Sequence, residues 1–282
     1  MNLFEKYEKY SEYYELCDEG RGVLREAAEK ICADEKLSAE AVELKNRIAD
    51  LGDNFKPDEL FKGKSVQFGA FVYTIAIEDT EKWYKAKNIP DDIFIATMSD
   101  LSVWINRHKS WFGEWGFSQY GWLLLHLRGR IFKLGRLQFE PSKIGETHDS
   151  LNLKEGDPFL SVHIPRGGRM DEAACLDSFN QAKEFFPKYL NYDFKAFGCS
   201  TWLFDPHFEK LLPPESNILK FQKLFKIIKY GGEDYGGLDY VFVNINKDNI
   251  KDAPTDTSFR KALVEHILSG GIMQSGSGYR LV

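Results

Sequence analysis

The sequence predicts an α+β protein, with a helical N-terminal domain over 1–125 packed on a mixed α/β C-terminal domain over 126–282. Apolar residues recur at helical spacing as far as Phe112, and the character of the chain changes near Gln119. Beyond it, Phe159 to Cys175 reads as a strand, a basic glycine turn and the start of a helix.

In the first half, Val23, Leu24, Ala27 and Ile31 share one face of a helix over Asp18–Ala33. Ser38 is placed to cap a second helix with Leu37 and Val42 as its hydrophobic staple, and Asp53 to Pro57 reads as a loop. The stretch Val66 to Tyr84 has β-branched content but no turn signal, so its length argues for a buried helix. Pro90, Asp91 and Asp92 open a helix expected to run through Leu101, Trp104, Ile105, His108 and Phe112, and Gly113 stops it. His108, on its apolar face, reads as a hydrogen-bonded core histidine.

In the second half, Tyr120 to Leu127 is a short apolar helix and Ile131 to Phe139 an inner strand, followed by turns through Glu155. After the helix that follows Asp171, Pro187 is expected to close that helix and Phe194 to Leu203 to form a strand. Asp205–Pro206 gives a helix start and Ser216 a cap; Gly231 to Gly237 reads as a mobile loop and Tyr240 to Ile245 as a strand. A helix over Ser258 to Leu268 follows, then Ser275 to Gly278 as a turn into a last strand, Tyr279 to Val282.

A net charge of −6 and a pI near 5.6 argue against nucleic acid as the main partner. The charged start lacks the apolar core of a signal peptide and no stretch reaches the ~18 apolar residues of a membrane span. The expectation is a cytoplasmic protein with no membrane partner. The 4 cysteines, Cys17, Cys32, Cys175 and Cys199, are scattered, which points to reduced thiols rather than disulfides or a metal site.

The chemistry concentrates around Pro165. An uncapped helix start exposes N–H donors and the positive end of the helix dipole, so the turn before it can hold an anion such as a phosphate. Gly167 and Gly168 let backbone approach, Arg166 and Arg169 can pair with oxygens, and a crossover turn with solvated arginines is the alternative. His163, one residue before the end of the apolar run, could accept a proton from an amine or simply tie down the turn. Cys199 with His163 and Asp205 would form a thiol–imidazole–carboxylate set if their strands were adjacent; otherwise Cys199 is core and Asp205 a helix cap.

Taken together, His163-Ile-Pro-x-Gly167, Arg136-Leu-Gln-Phe-Glu140, Cys199-x-x-Trp-Leu-x-Asp-Pro206, Leu212-Pro-x-x-Ser-Asn217 and Phe221-Gln222 resemble acyltransferase-like proteins with a helical N-terminal domain and a GNAT-like C-terminal domain. The resemblance covers nearly the whole chain. It implies a fold in which a strand, a turn and a helix start cradle the pyrophosphate of coenzyme A while two strands splay to admit the acyl–pantetheine arm. Ile164, Arg166, Gly167, Gly168, Arg169 and Met170 would form that cradle. Acetyl-coenzyme A would be the cosubstrate and a small-molecule amine the acceptor, with His163 as base or relay and splay N–H groups as oxyanion donors. A monomer and a homodimer are both left open.

Arg166 to Asp171 does not spell the superfamily's usual Gln/Arg-x-x-Gly-x-Gly/Ala, and no obvious catalytic carboxylate precedes His163 on the strand before it. A non-catalytic GNAT-like module that binds a ligand or a partner is therefore the second reading, and a Cys199-dependent hydrolase or transferase the third.

Overall fold

The computed structural model describes residues 1–50 and 57–282, so the loop expected from Asp53 lies, up to Pro57, outside the described residues. The chain divides into two compact units, Met1–Lys133 and Leu134–Val282.

The first unit is helical: α1 (Leu3–Ser11), α2 (Asp18–Ala33), α3 (Glu35–Asp50), α4 (Val66–Ala86), α5 (Asp91–Met98), α6 (Asp100–Phe112) and α7 (Tyr120–Leu127). Phe71, Val72, Tyr73, Ile75 and Ile77 of α4 are all buried, so this helix has no wet side over its first half and α1, α2 and α3 pack around it. Two of its buried hydroxyls are paired: Thr74 bonds to Tyr14 at 2.7 Å, and Thr80 donates to the Leu127 carbonyl at 2.7 Å. His108 is the expected core histidine, with Nδ1 3.1 Å from the Glu114 carbonyl.

Two expectations change here. Asp34, not Ser38, starts α3: its Oδ1 accepts from the Lys36 and Leu37 N–H groups, while the Ser38 hydroxyl donates to the Ile31 carbonyl. The helix expected from Asp91 to Phe112 is two, broken at Ser99.

The second unit is built on a mixed sheet whose strands β1 (Phe132–Leu134), β2 (Leu137–Lys143), β3 (Pro158–His163), β4 (Ala196–Thr201), β5 (Lys226–Glu233) and β6 (Gln274–Leu281) lie in the order β1-β2-β3-β4-β6-β5. β3 and β4 form a parallel pair, and α8 (Glu172–Leu190) makes the crossover between them. Phe139, Leu160, Val162 and Phe197 form a buried face of the sheet, and Phe179 of α8 lies 4.7 Å from Phe197 between ring centroids.

The inner strand expected over Ile131 to Phe139 is a hairpin, because Gly135 takes a φ of 65° and turns the chain between β1 and β2. Pro187 sits inside α8 on its exposed side, and the helix ends instead at Asn191 with φ 52°. β5 extends to Glu233 into the expected loop, and the strand expected from Tyr240 opens as α11 (Leu238–Val241). α12 (Ser258–Leu268) matches its expected span.

The largest difference is Ser275 to Gly278. It is not a turn but the first half of β6, held between β4 and β5. A Cβ on Gly276 would stand 2.7 Å from the Phe204 Cβ, and one on Gly278 2.8 Å from the Lys226 carbonyl. Close approach of neighbours, rather than flexibility, accounts for these glycines.

Between β5 and β6 the chain makes an excursion with its own core: Leu238, Phe242, Ile245, Ile250, Leu263, Val264, Ile267 and Met273 pack with Phe208 and Leu219. Those last two come from α9 (Phe208–Leu211) and α10 (Asn217–Lys223), and Trp202, just after β4, packs against the same cluster.

Candidate active site

β3 and β4 are paired only at Phe159↔Ala196, Leu160↔Phe197 and Ser161↔Gly198. Beyond Ser161 they part. β3 stays on β2 as far as His163↔Gln138, and β4 stays on β6 as far as Thr201↔Gly276, so the opening lies between the two parallel strands. The Val282 N–H donates to the Lys195 carbonyl, which turns the alternate backbone groups of Ala196, Gly198 and Ser200 toward β3. The next groups in line at the fork are therefore the Val162 carbonyl and the Ser200 N–H, which the registered pairing does not include.

At the end of β3 the chain turns through Ile164 to Met170. Gly167 has φ 92° and Gly168 φ 68°, conformations that favour glycine. A Cβ on Gly167 would meet nothing within 4 Å, and one on Gly168 only the Arg136 side chain at 3.8 Å, so the corner is open. Arg136 braces the turn: Nη1 donates to the Pro165 carbonyl at 2.9 Å and Nε to the Arg169 carbonyl at 3.0 Å. Burial lowers the Arg136 guanidinium from its ordinary value. Arg166 and Arg169 are exposed on this glycine-lined turn.

Asp171 is the N-cap of α8 by backbone conformation, yet its side chain caps nothing in that helix. It accepts instead from Asn217 Nδ2 at 3.1 Å, which leaves the first-turn N–H groups of Glu172, Ala173 and Ala174 without a side-chain cap.

His163 Nε2 lies 3.2 Å from Glu140 Oε2, with both side chains partly exposed. Glu140 is registered with Ser161, one pleat before His163 on the same face, so the diagonal neighbours meet. A carboxylate therefore does stand on the strand before the histidine. Sequence reasoning placed Glu140 in a motif without a role; the parity of β2 was the available signal, and the strand register needed to use it was not.

The thiol–imidazole–carboxylate set is not assembled. Asp205 is buried with Oδ1 2.8 Å from His207 Nδ1 and Oδ2 accepting from the Gln274 N–H at 2.8 Å. Cys199 faces the buried side of β4 at 5% exposure, and burial pushes its thiol far above the ordinary range. His163 lies on the opposite face of the sheet, since it follows Ser161, whose partner Gly198 alternates with Cys199.

Among the described residues there is no group of acidic, histidine and cysteine side chains able to hold a metal, and no helix long and apolar enough to cross a membrane.

Comparison with known proteins gives two adjoining matches: an N-acyltransferase N-terminal domain over residues 6–129 and a GNAT-like C-terminal domain over 131–280. No curated protein matches. Among solved structures, an acyltransferase in complex with decanoyl-CoA and teicoplanin is 23% identical with a TM-score of 0.75, covering 94% of this chain and 88% of that one. An acyltransferase in complex with CoA and 10C-teicoplanin is 22% identical with a TM-score of 0.74 and the same coverage. At that identity the likeness establishes the fold. With the second match spanning more than half its length, the chain belongs to the family that carries a GNAT-like C-terminal domain, here preceded by an N-acyltransferase N-terminal domain.

Proposed function

We propose that this protein transfers an acyl group from a coenzyme A thioester to the amine of a small molecule, in the cytoplasm. The observation that carries the reading is the fork between β3 and β4, opening directly beside the glycine turn and the uncapped start of α8. The solved neighbours crystallised with CoA, decanoyl-CoA and octanoyl-CoA support coenzyme A as cosubstrate.

The residues fit a diphosphate. Gly167 and Gly168 allow close approach, the N–H groups at the start of α8 would donate to the anion, and Arg166 and Arg169 would supply charge, with Ile164 and Met170 completing the cradle. When bound, coenzyme A supplies an electrophilic thioester carbonyl. The Ser200 N–H at the fork is placed to stabilise negative charge on its oxygen. Glu140 accepts the Nε2 proton of His163, which orients the ring and puts the basic lone pair on Nδ1. His163 takes the proton from the attacking amine, directly or through a water.

Titration calorimetry with acetyl-coenzyme A and octanoyl-coenzyme A tests this on the intact chain. Both thioesters should bind to wild type, and Arg169→Ala should weaken each by about tenfold, the loss of one charge-assisted bond. Acetyl is the acyl group expected from the resemblance; tighter binding of the longer thioester would replace it. No heat with either would remove the transferase reading and leave the non-catalytic module.

A further inference from the structure

Asp171 and Asn217 meet where α8 and α10 begin, and the helix that carries Asn217 is the better anchored. Ser216 caps α10 by accepting from the Leu219 N–H at 3.3 Å, and its own N–H donates to the Pro213 carbonyl at 2.9 Å. Leu219 and Phe221 of the same helix are buried, which fixes Asn217, its first residue. Asp171 is exposed and follows the turn that carries Gly167 and Gly168. A carboxylate only accepts, so the 3.1 Å contact turns the amide nitrogen of Asn217 toward Asp171.

The start of α8 is built for a different arrangement. Aspartate is among the preferred N-cap residues, and Asp171 has the extended backbone of one, φ −65° and ψ 134°, with Ala174 in the third helical position. Rotation of its side chain alone would let the carboxylate accept the Ala174 N–H. It would then occupy a donor that an anion needs and set a negative charge at the positive end of the helix, repelling a diphosphate. Resting on the coenzyme A reading above, we infer that Asn217 is a positioning residue for the donor: its amide draws the Asp171 carboxylate across to α10 and keeps the first N–H groups of α8 available to the diphosphate. The start of α8 thus has two arrangements, closed by its own carboxylate or open with that carboxylate on Asn217. The structure holds the open one, and removing the amide shifts the balance to the closed one.

A double-mutant cycle on the full chain tests this, read by titration calorimetry with octanoyl-coenzyme A and by amide exchange of the unliganded protein. Asn217→Ala should weaken octanoyl-coenzyme A about tenfold when Asp171 is present and by less than about twofold in an Asp171→Ala background. Asp171→Ala alone should bind at least as tightly as wild type. The Ala174 amide should exchange more slowly in Asn217→Ala and not in the double variant, because only the freed carboxylate can cap it; exchange later in α8 is the control for folding. A pair that merely props the turn would give equal losses of affinity in the two single variants and no added protection at Ala174. That result, an undiminished affinity in Asn217→Ala, or the same loss in both backgrounds would overturn the inference. Failure of octanoyl-coenzyme A to bind wild type would remove the coenzyme A reading and the inference with it, while amide exchange would still report whether Asn217 holds the carboxylate off α8.

Discussion

β4 has two neighbours and treats them differently. Against β6 it is paired from Ala196↔Leu281 to Thr201↔Gly276, while against β3 its pairing stops at Ser161↔Gly198. β6, the closed neighbour, is itself packed close by glycine: Gly278 and Gly276 let β5 and Phe204 approach it to distances that a side chain would block. The open seam is held apart by what flanks it, since β2 fixes β3 and β6 fixes β4 beyond the point of separation. A sheet can thus expose unpaired backbone at one internal line without losing its register elsewhere, and that line is where chemistry can be done.

The sharpest test of the open seam is its histidine. His163→Ala should lower kcat for acyl transfer by about 10² to 10⁴ while leaving thioester affinity unchanged, read by steady-state kinetics beside calorimetry. An equal loss of binding would place His163 in the turn's support rather than in proton transfer.

The packing that holds β6, and through it the closed seam, is tested by Gly278→Val. Its side chain would press on the Lys226 carbonyl and the Ile227 backbone, so a loss of about 3 kcal/mol in denaturant unfolding is expected. Ser277→Val, one residue away on the open face, should cost less than about 0.5 kcal/mol.

Arg136→Ala removes both donors to the turn carbonyls and should weaken octanoyl-coenzyme A binding by about tenfold, with little effect on kcat once the donor saturates.

Smallest in effect is thiol labelling at pH 8. Exposed Cys17 should react with iodoacetamide, whereas Cys175, pushed up to about 11 by burial, and Cys199, raised by burial, should stay unlabelled in the native protein. Fast labelling of Cys199 with loss of activity would return the thiol mechanism to contention.

The elements that periodicity could reach were legible in the sequence. Asp18–Ala33 and Ser258–Leu268 have the spans read from apolar spacing, and the length of the Val66 stretch outweighed its β-branched content. β6 was hidden because Ser-Gly-Ser-Gly has the local chemistry of a turn, and its strand conformation is imposed by partners on both sides. The glycine turn was visible as a strand–turn–helix signal, but the contacts of Glu140 with His163 and of Asn217 with Asp171 were not. Those contacts come from register across strands and from the meeting of two helix starts, neither of which local patterning contains.

The excursion between β5 and β6 shares its core with the segment that follows β4. Heat or denaturant should therefore release α9, α10 and the Leu238 to Met273 excursion as one foldon, and amide exchange along α9, α10 and α12 should rise together. The end of β4 is then anchored by a block that melts in a single step, so loss of the fork on warming would come abruptly instead of by gradual fraying.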